Sequence, residues 1–337
     1  MPRLAAPLAL ALSLALAACA AGPQRPAQAG AAPPVPTAPP RLVVAVSIDQ
    51  LSSDLFAQYR EHFTGGFARL LDGAVFPSAY QAHAATETCP GHSTLLTGTR
   101  PARNGIIANN WFDPSISRAD KRIYCSEDPR DPASTSREPV VSAGLLKVPT
   151  LGEWLKAATP ATRNVAVSAK DRAVVMMGGH KIDAGYWWKG NQFTSFAGRP
   201  LSPAVTAQNA AVAALLKSGA PELTAPVWCQ GRDRATPVGR AGTIGTGRFA
   251  LEPGKADQLR ASPRMDAATV DLATALVDEL QLGKGEATDV LSVSLSASDY
   301  VGHAVGTEGL EMCIQMAELD RNLERLFAHL DAAGIDY

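Results

Sequence analysis

Three short apolar runs along the chain are rich in β-branched residues and unbroken by charge: Leu42–Ile48, Val165–Ala169 and Val290–Leu295. A continuous run of this length, unlike an alternating one, predicts a strand buried on both faces of a parallel sheet. Helical patterns separate the runs, over residues 54–71, 149–158 (Leu151, Trp154, Leu155) and 265–280. A fourth helix repeats apolar residues at Met312, Met316, Leu319, Leu323, Leu326 and Leu330, spaced 4, 3, 4, 3, 4, which is one buried face. A further strand is expected over 74–82. The alternation predicts an α/β fold with a mostly parallel central sheet flanked by helices. It breaks between about residues 185 and 263, where Trp187, Trp188 and Phe193 stand among many Gly and Pro, and this stretch is expected to be an inserted lid or cap. Gly334 suits a helix C-cap. Residues 335–337 then read as the opening of another buried strand, so the C-terminal part of the fold is expected to lie beyond Tyr337. The helix before it is expected to expose an apolar edge.

The three runs end on Asp49, on Lys170-Asp171-Arg172 and just before Asp299. Ligands of open α/β sheets bind beyond the carboxyl ends of the strands, so these residues are expected to meet on one edge.

Ahead of this body, Arg3 and the apolar run Leu4 to Leu16 have the form of a secretory signal, too short to span a bilayer comfortably. Leu16-Ala17-Ala18-Cys19 resembles the lipobox of bacterial lipoproteins. That resemblance implies lipidation of Cys19, export to the periplasm and a membrane anchor. Residues 20–40 hold seven prolines and predict a stiff tether, which leaves the body at 41–337. A formal net charge of −1 over 337 residues argues against a nucleic-acid-binding surface. In an oxidising compartment Cys89, Cys125, Cys229 and Cys313 allow three pairings. Cys89–Cys125 with Cys229–Cys313 is favoured over the others, and free buried thiols are the alternative. No CxxC spacing suggests a zinc-thiolate site.

The candidate chemistry starts at Thr88, a hydroxyl just before Cys89-Pro90 and a helix-like run. Free N–H groups and the helix dipole at such an entrance favour an alkoxide or a phosphate, although most such residues are ordinary N-caps. Asp299 and His303, four residues apart, can face one ion from a turn or a helix. Lys170 and Arg172 at i, i+2 suit a dianion. The loop Gly242–Gly247 lacks the Lys-Ser/Thr and strand–helix context of a phosphate cradle and is expected to be a flexible part of the insertion. His83 and His92 are expected to pack or to serve as polar core.

Together Ser47-Ile48-Asp49-Gln50, Thr88-Cys89-Pro90-Gly91-His92, the Asn109 segment Gly105–Trp111, Ser168-Ala169-Lys170-Asp171-Arg172 and Ser298-Asp299-Tyr300-Val301-Gly302-His303 resemble the alkaline phosphatase superfamily. The likeness is to the bacterial zinc-dependent alkaline phosphatases with a threonine nucleophile, and it runs from about Arg41 to the end. It implies two Zn²⁺, one on Asp49 and Thr88 and the other on Asp299 and His303. It implies attack by Thr88 on phosphorus, with Asn109, Lys170 and Arg172 holding the non-bridging oxygens of a phosphate monoester. It also places another Asp-His pair and a last His beyond Tyr337, so the chain as it stands is expected to be inactive or nearly so. A phosphodiesterase of the related nucleotide pyrophosphatase group and a non-catalytic lipoprotein are the competing readings.

Overall fold

The strands and helices follow in the order β1 (Leu42–Ile48), α1 (Ser53–Tyr59), α2 (Gly66–Leu71), α3 (Thr88–Thr97), α4 (Pro101–Asn104), β2 (Asn110–Phe112), β3 (Arg122–Tyr124), α5 (Leu151–Ala158), β4 (Asn164–Ser168) and α6 (Asp171–Gly178). They continue as β5 (Ala184–Lys189), β6 (Gln192–Thr194), α7 (Pro203–Ser218), β7 (Thr236–Pro237), β8 (Thr243–Ile244), α8 (Ala256–Arg260), α9 (Pro263–Leu280), β9 (Asp289–Leu295), α10 (Ala297–Val305) and α11 (Leu310–Ala332). This computed structural model describes residues 38–76, 79–239 and 242–337. The signal-like segment with Cys19, and the tether up to residue 37, lie outside the described residues.

Five strands form the central sheet in the order β1-β9-β4-β5-β6. The first four are mutually parallel, and β6 returns antiparallel to β5. Gly190 and Asn191 make that return at φ of 61° and 63°, the left-handed conformation that a tight hairpin demands. β9 and β4 occupy the middle, and every residue of both is buried. This is why their sequences carry no charge apart from Asp289 at the entrance of β9. β1 is an edge strand: Leu42 is buried, and the rest is half-buried. The Asp336 carbonyl accepts from the N–H groups of Arg41 and Leu42, both at 3.0 Å, beside the start of β1.

The core sits on the face where α11 packs against α9 and α2, and α7 packs against α9. The six residues of the predicted α11 stripe are all fully buried, so this helix does not expose the apolar edge expected from the sequence. At the crossing with α2 the backbones nearly touch. A Cβ on Gly66 would lie 2.2 Å from the Leu323 Cβ, so only glycine fits.

Other expectations need correction. Residues 54–71 do not form one helix: the chain turns at residues 63–65, where the Asp320 carboxylate accepts from the N–H groups of Thr64, Gly65 and Phe67. No strand forms among the described residues of 74–82. The stretch beginning at 185 is not wholly an insertion, because β5 and β6 extend the sheet and α7 covers the core; periodicity is obscured by the hairpin and the aromatic residues. The Gly242–Gly247 loop is pinned, since Gly245 and Gly247 N–H groups both donate to the buried Glu311 Oε1. Both favoured disulfides are present, with Cα separations of 6.5 Å for Cys89–Cys125 and 5.8 Å for Cys229–Cys313. No described helix is long and apolar enough to cross a membrane.

Candidate active site

The carboxyl ends of β1, β4 and β9 bring their following residues to one cavity of about 670 Å³. Asp49, Thr88, Asn109, Arg172, Asp299 and His303 line it. The parallel register of β1 with β9 carries one bond further, from Asp49 N to the Leu295 carbonyl at 2.9 Å, which fixes the carboxylate at the strand end. Thr88 is the first residue of α3, so its hydroxyl stands where the helix has unpaired N–H groups. Thr88 Oγ1 donates to Asp49 Oδ2 at 3.3 Å.

Asp299 and His303 face the cavity from α10, one turn apart, with His303 Nε2 3.3 Å from Asp299 Oδ1. Gln50 packs so tightly on this helix that a Cβ at Gly302 would meet its Oε1 at 1.8 Å. The glycine therefore brings the Asp49 turn and the Asp299 helix together.

Lys170, the N-cap of α6, does not line the cavity and is 3% exposed. Its Nζ donates to Asp49 Oδ2 and Asp299 Oδ2, each at 2.5 Å, and stands 4.9 Å from the Tyr300 ring centre. Burial pushes the Asp49 carboxyl up, but the adjacent Lys170 ammonium leads the effects that outweigh burial and hold it below the usual carboxylate range. The i, i+2 spacing that suits a dianion would have Lys170 and Arg172 point the same way. They do not here: Lys170 bridges the two carboxylates, while Arg172 faces the cavity. The Arg172 guanidinium donates to the Tyr124 hydroxyl at 3.4 Å, and its buried Nε has no partner.

Asn109 is tied to the start of α3. Its Oδ1 accepts from Cys89 N at 2.8 Å, its N–H donates to Glu87 Oε2 at 2.5 Å, and its carbonyl accepts from Cys125 N at 3.0 Å. With Oδ1 engaged, the amide Nδ2 is the group left to donate into the cavity. Cys89–Cys125 thus fastens Thr88 and Asn109 into one unit.

His92 is polar core, as expected, and its partners give it a specific place. It is fully buried one turn into α3, pairs through Nδ1 with the Thr88 carbonyl at 2.8 Å, and pairs through Nε2 with Ser294 Oγ at 2.9 Å. Burial pushes its imidazole pKa down, which favours a neutral ring linking α3 to β9. Its spacing of four from Thr88 was the available signal. His83 lines the cavity too, with both ring nitrogens unpartnered. Glu87 and Tyr124 carried no sequence signal, because their roles depend on contacts across the fold.

Among the described residues no group of three or more His, Cys, Asp or Glu is gathered to hold a metal ion. The residues expected from the sequence as metal donors stand as two pairs, Asp49 with Thr88 and Asp299 with His303. They suit zinc in kind but fall short of its usual three or four protein ligands in number.

The α/β fold with its mostly parallel sheet is that of alkaline phosphatase PafA, whose wild-type crystal structure matches with a TM-score of 0.75 at 26% identity, over 88% of this chain and 61% of that one. The chain belongs to the type I phosphodiesterase/nucleotide pyrophosphatase family, whose family model matches residues 43–337. It is 52% identical over 301 residues to alkaline phosphatase PhoK of Sphingomonas sp, covering 89% of this chain and 54% of that protein. It is 48% identical over 303 residues to alkaline phosphatase PhoD of Zymomonas mobilis, covering 88% and 52%. The chain therefore spans little more than half the length of these two relatives.

Proposed function

We propose that the protein hydrolyses phosphate monoesters through a phosphothreonine at Thr88. The observation that carries this reading is the Thr88 hydroxyl at the start of α3, hydrogen-bonded to Asp49 in a cavity that Arg172 and Asn109 also line. In the first half-reaction Thr88 Oγ1 bonds to phosphorus, the ester P–O bond breaks, and the alcohol leaves with a proton. Water then cleaves the Thr88–phosphate bond, which releases inorganic phosphate and restores the hydroxyl. Arg172 and the Asn109 amide stabilise the charge on the equatorial oxygens.

Asp49, held below the usual carboxylate range, is a poor base for a threonine hydroxyl. Alkaline phosphatase relatives support a metal-dependent site, and zinc is the specific proposal. Asp49 and Thr88 would hold one ion, and Asp299 and His303 the other, with further ligands needed to complete each set. When bound, zinc supplies the Lewis acidity that makes a hydroxyl nucleophilic near neutral pH. Lys170 neutralises the two carboxylates here; were they to hold a cation, its ammonium would be available to an anionic substrate.

A diesterase is the second reading, favoured by the description of the matching family model. The two are separated with p-nitrophenyl phosphate and bis(p-nitrophenyl) phosphate on the full protein and on Arg172→Ala. Each charge-assisted contact is worth about 1.5–3 kcal/mol, or roughly ten- to a hundredfold. The monoester should lose this factor and the diester much less. Equal losses on both substrates would overturn the assignment. Export as a Cys19-anchored periplasmic lipoprotein is part of the proposal, supported by the N-terminal pattern and the two disulfides; acyl labelling that survives in Cys19→Ser would reject it.

A further inference from the structure

Helix α10 carries Asp299 and His303, yet its own start is poorly equipped. Its N-cap residue, Ser296, has helical backbone angles and makes no side-chain cap. The need is met from elsewhere. Asp266, in the first turn of α9 and wholly buried, accepts from Ala297 N through Oδ1 at 2.9 Å. Its Oδ2 accepts from Gln315 Nε2 of α11 at 3.0 Å, and the same nitrogen donates to Ser298 Oγ of α10 at 3.2 Å. Three helices are thus tied at one point, two residues before Asp299.

We propose that Asp266 is a positioning residue for the Asp299–His303 pair, an outside cap whose carboxylate fixes the start and the rotation of α10. The inference rests on the reading of Asp299 and His303 as working donors. On a helix, a small rotation about the axis moves residues at i and i+4 together, so the face they present depends on how the first turn is held. No bonding through α10 alone supplies that hold. A side chain without an acceptor at 266 leaves the Ala297 amide buried and unpaired, and the start of α10 then frays. The chemistry also resists the bland alternative. Burial pushes the Asp266 carboxyl up to about 6, against the hydrogen bonds from Ala297 and Gln315 that favour its charged form. An ionised group in such a place opposes folding near neutral pH, so general stability is a poor reason for its presence.

The test uses the full-length protein with Asp266→Ala, with Asp266→Asn, which keeps one acceptor, and with Asp299→Ala as control. Zinc affinity is read by chelator competition, and amide exchange across residues 297–303 is read in the metal-free proteins. Asp266→Ala is expected to speed exchange in that segment and to weaken zinc binding by roughly tenfold, the factor worth about 1.4 kcal/mol. Asp266→Asn, with an acceptor restored, is expected to recover most of both. Zinc affinity in Asp266→Ala equal to wild type, or an Asn variant no better than Ala, would overturn the proposal. If Asp299→Ala itself leaves zinc affinity unchanged, the functional reading of Asp299 fails instead.

Discussion

Replacing Lys170 by Met removes the ammonium that bridges Asp49 and Asp299 and keeps most of the apolar stem. The lysine side chain is 2% exposed and the carboxylates 11% and 16%, so solvent screens these pairs little. Deleting one partner of a buried ion pair costs about 3–5 kcal/mol, because the remaining charge is left uncompensated. Here two carboxylates are stranded beside each other, so the upper end of that range is expected. Loss of the contact with the Tyr300 ring adds on the order of 1 kcal/mol. The assay is urea unfolding of the metal-free proteins, repeated at matched free zinc. Metal-free Lys170→Met should unfold at clearly lower urea than wild type. Zinc at a hundredfold over its Kd stabilises a binding protein by about 2.7 kcal/mol. That gain should be larger in the variant, in which no ammonium has to be displaced. A metal-free variant within about 0.5 kcal/mol of wild type, the size of an ordinary surface substitution, would refute the account of Lys170.

Cys229–Cys313 closes a separation of 84 residues and Cys89–Cys125 one of 36, so the loop-entropy relation gives about 4.6 and 3.8 kcal/mol for their loss. Urea midpoints of the paired Ser variants check the order, and only the Cys89/Cys125 variant should also change Asn109-dependent turnover. For Asp266, a folded pKa of about 6 against an ordinary 3.8 means a contribution that favours folding fully below pH 3.8 and is lost as pH rises through 6. The difference corresponds to about 3 kcal/mol. Asp266→Asn should therefore gain on wild type between pH 4 and pH 8 in unfolding free energy, and a constant difference across that range would contradict the assignment.

The parallel strands were legible because burial on both faces leaves an unbroken apolar run, as at Val290–Leu295. The strand ends then gave the site, since Asp49, Lys170 and Asp299 are where three such runs stop. The β5–β6 hairpin was misread for the opposite reason: at an edge, aromatic residues around a Gly-Asn turn give no clear period. Residues 74–82 looked like a strand by composition, yet none of those described pairs in a sheet. The bridging pose of Lys170 was also out of reach. An i, i+2 spacing fixes neither the rotamer of a long side chain nor the carboxylates that attract it. Asp266 is legible only after folding, because its partners at Ala297 and Gln315 are remote in sequence.

The central claim is the covalent role of Thr88, and acid quenching of the full-length protein during turnover of p-nitrophenyl phosphate tests it most directly. Mass spectrometry of the peptide spanning Glu87 to Arg100 should find phosphate on Thr88 in the wild type, while Thr88→Ala should give neither phosphopeptide nor turnover. Undiminished turnover in Thr88→Ala, or phosphate trapped on another residue, would contradict the mechanism.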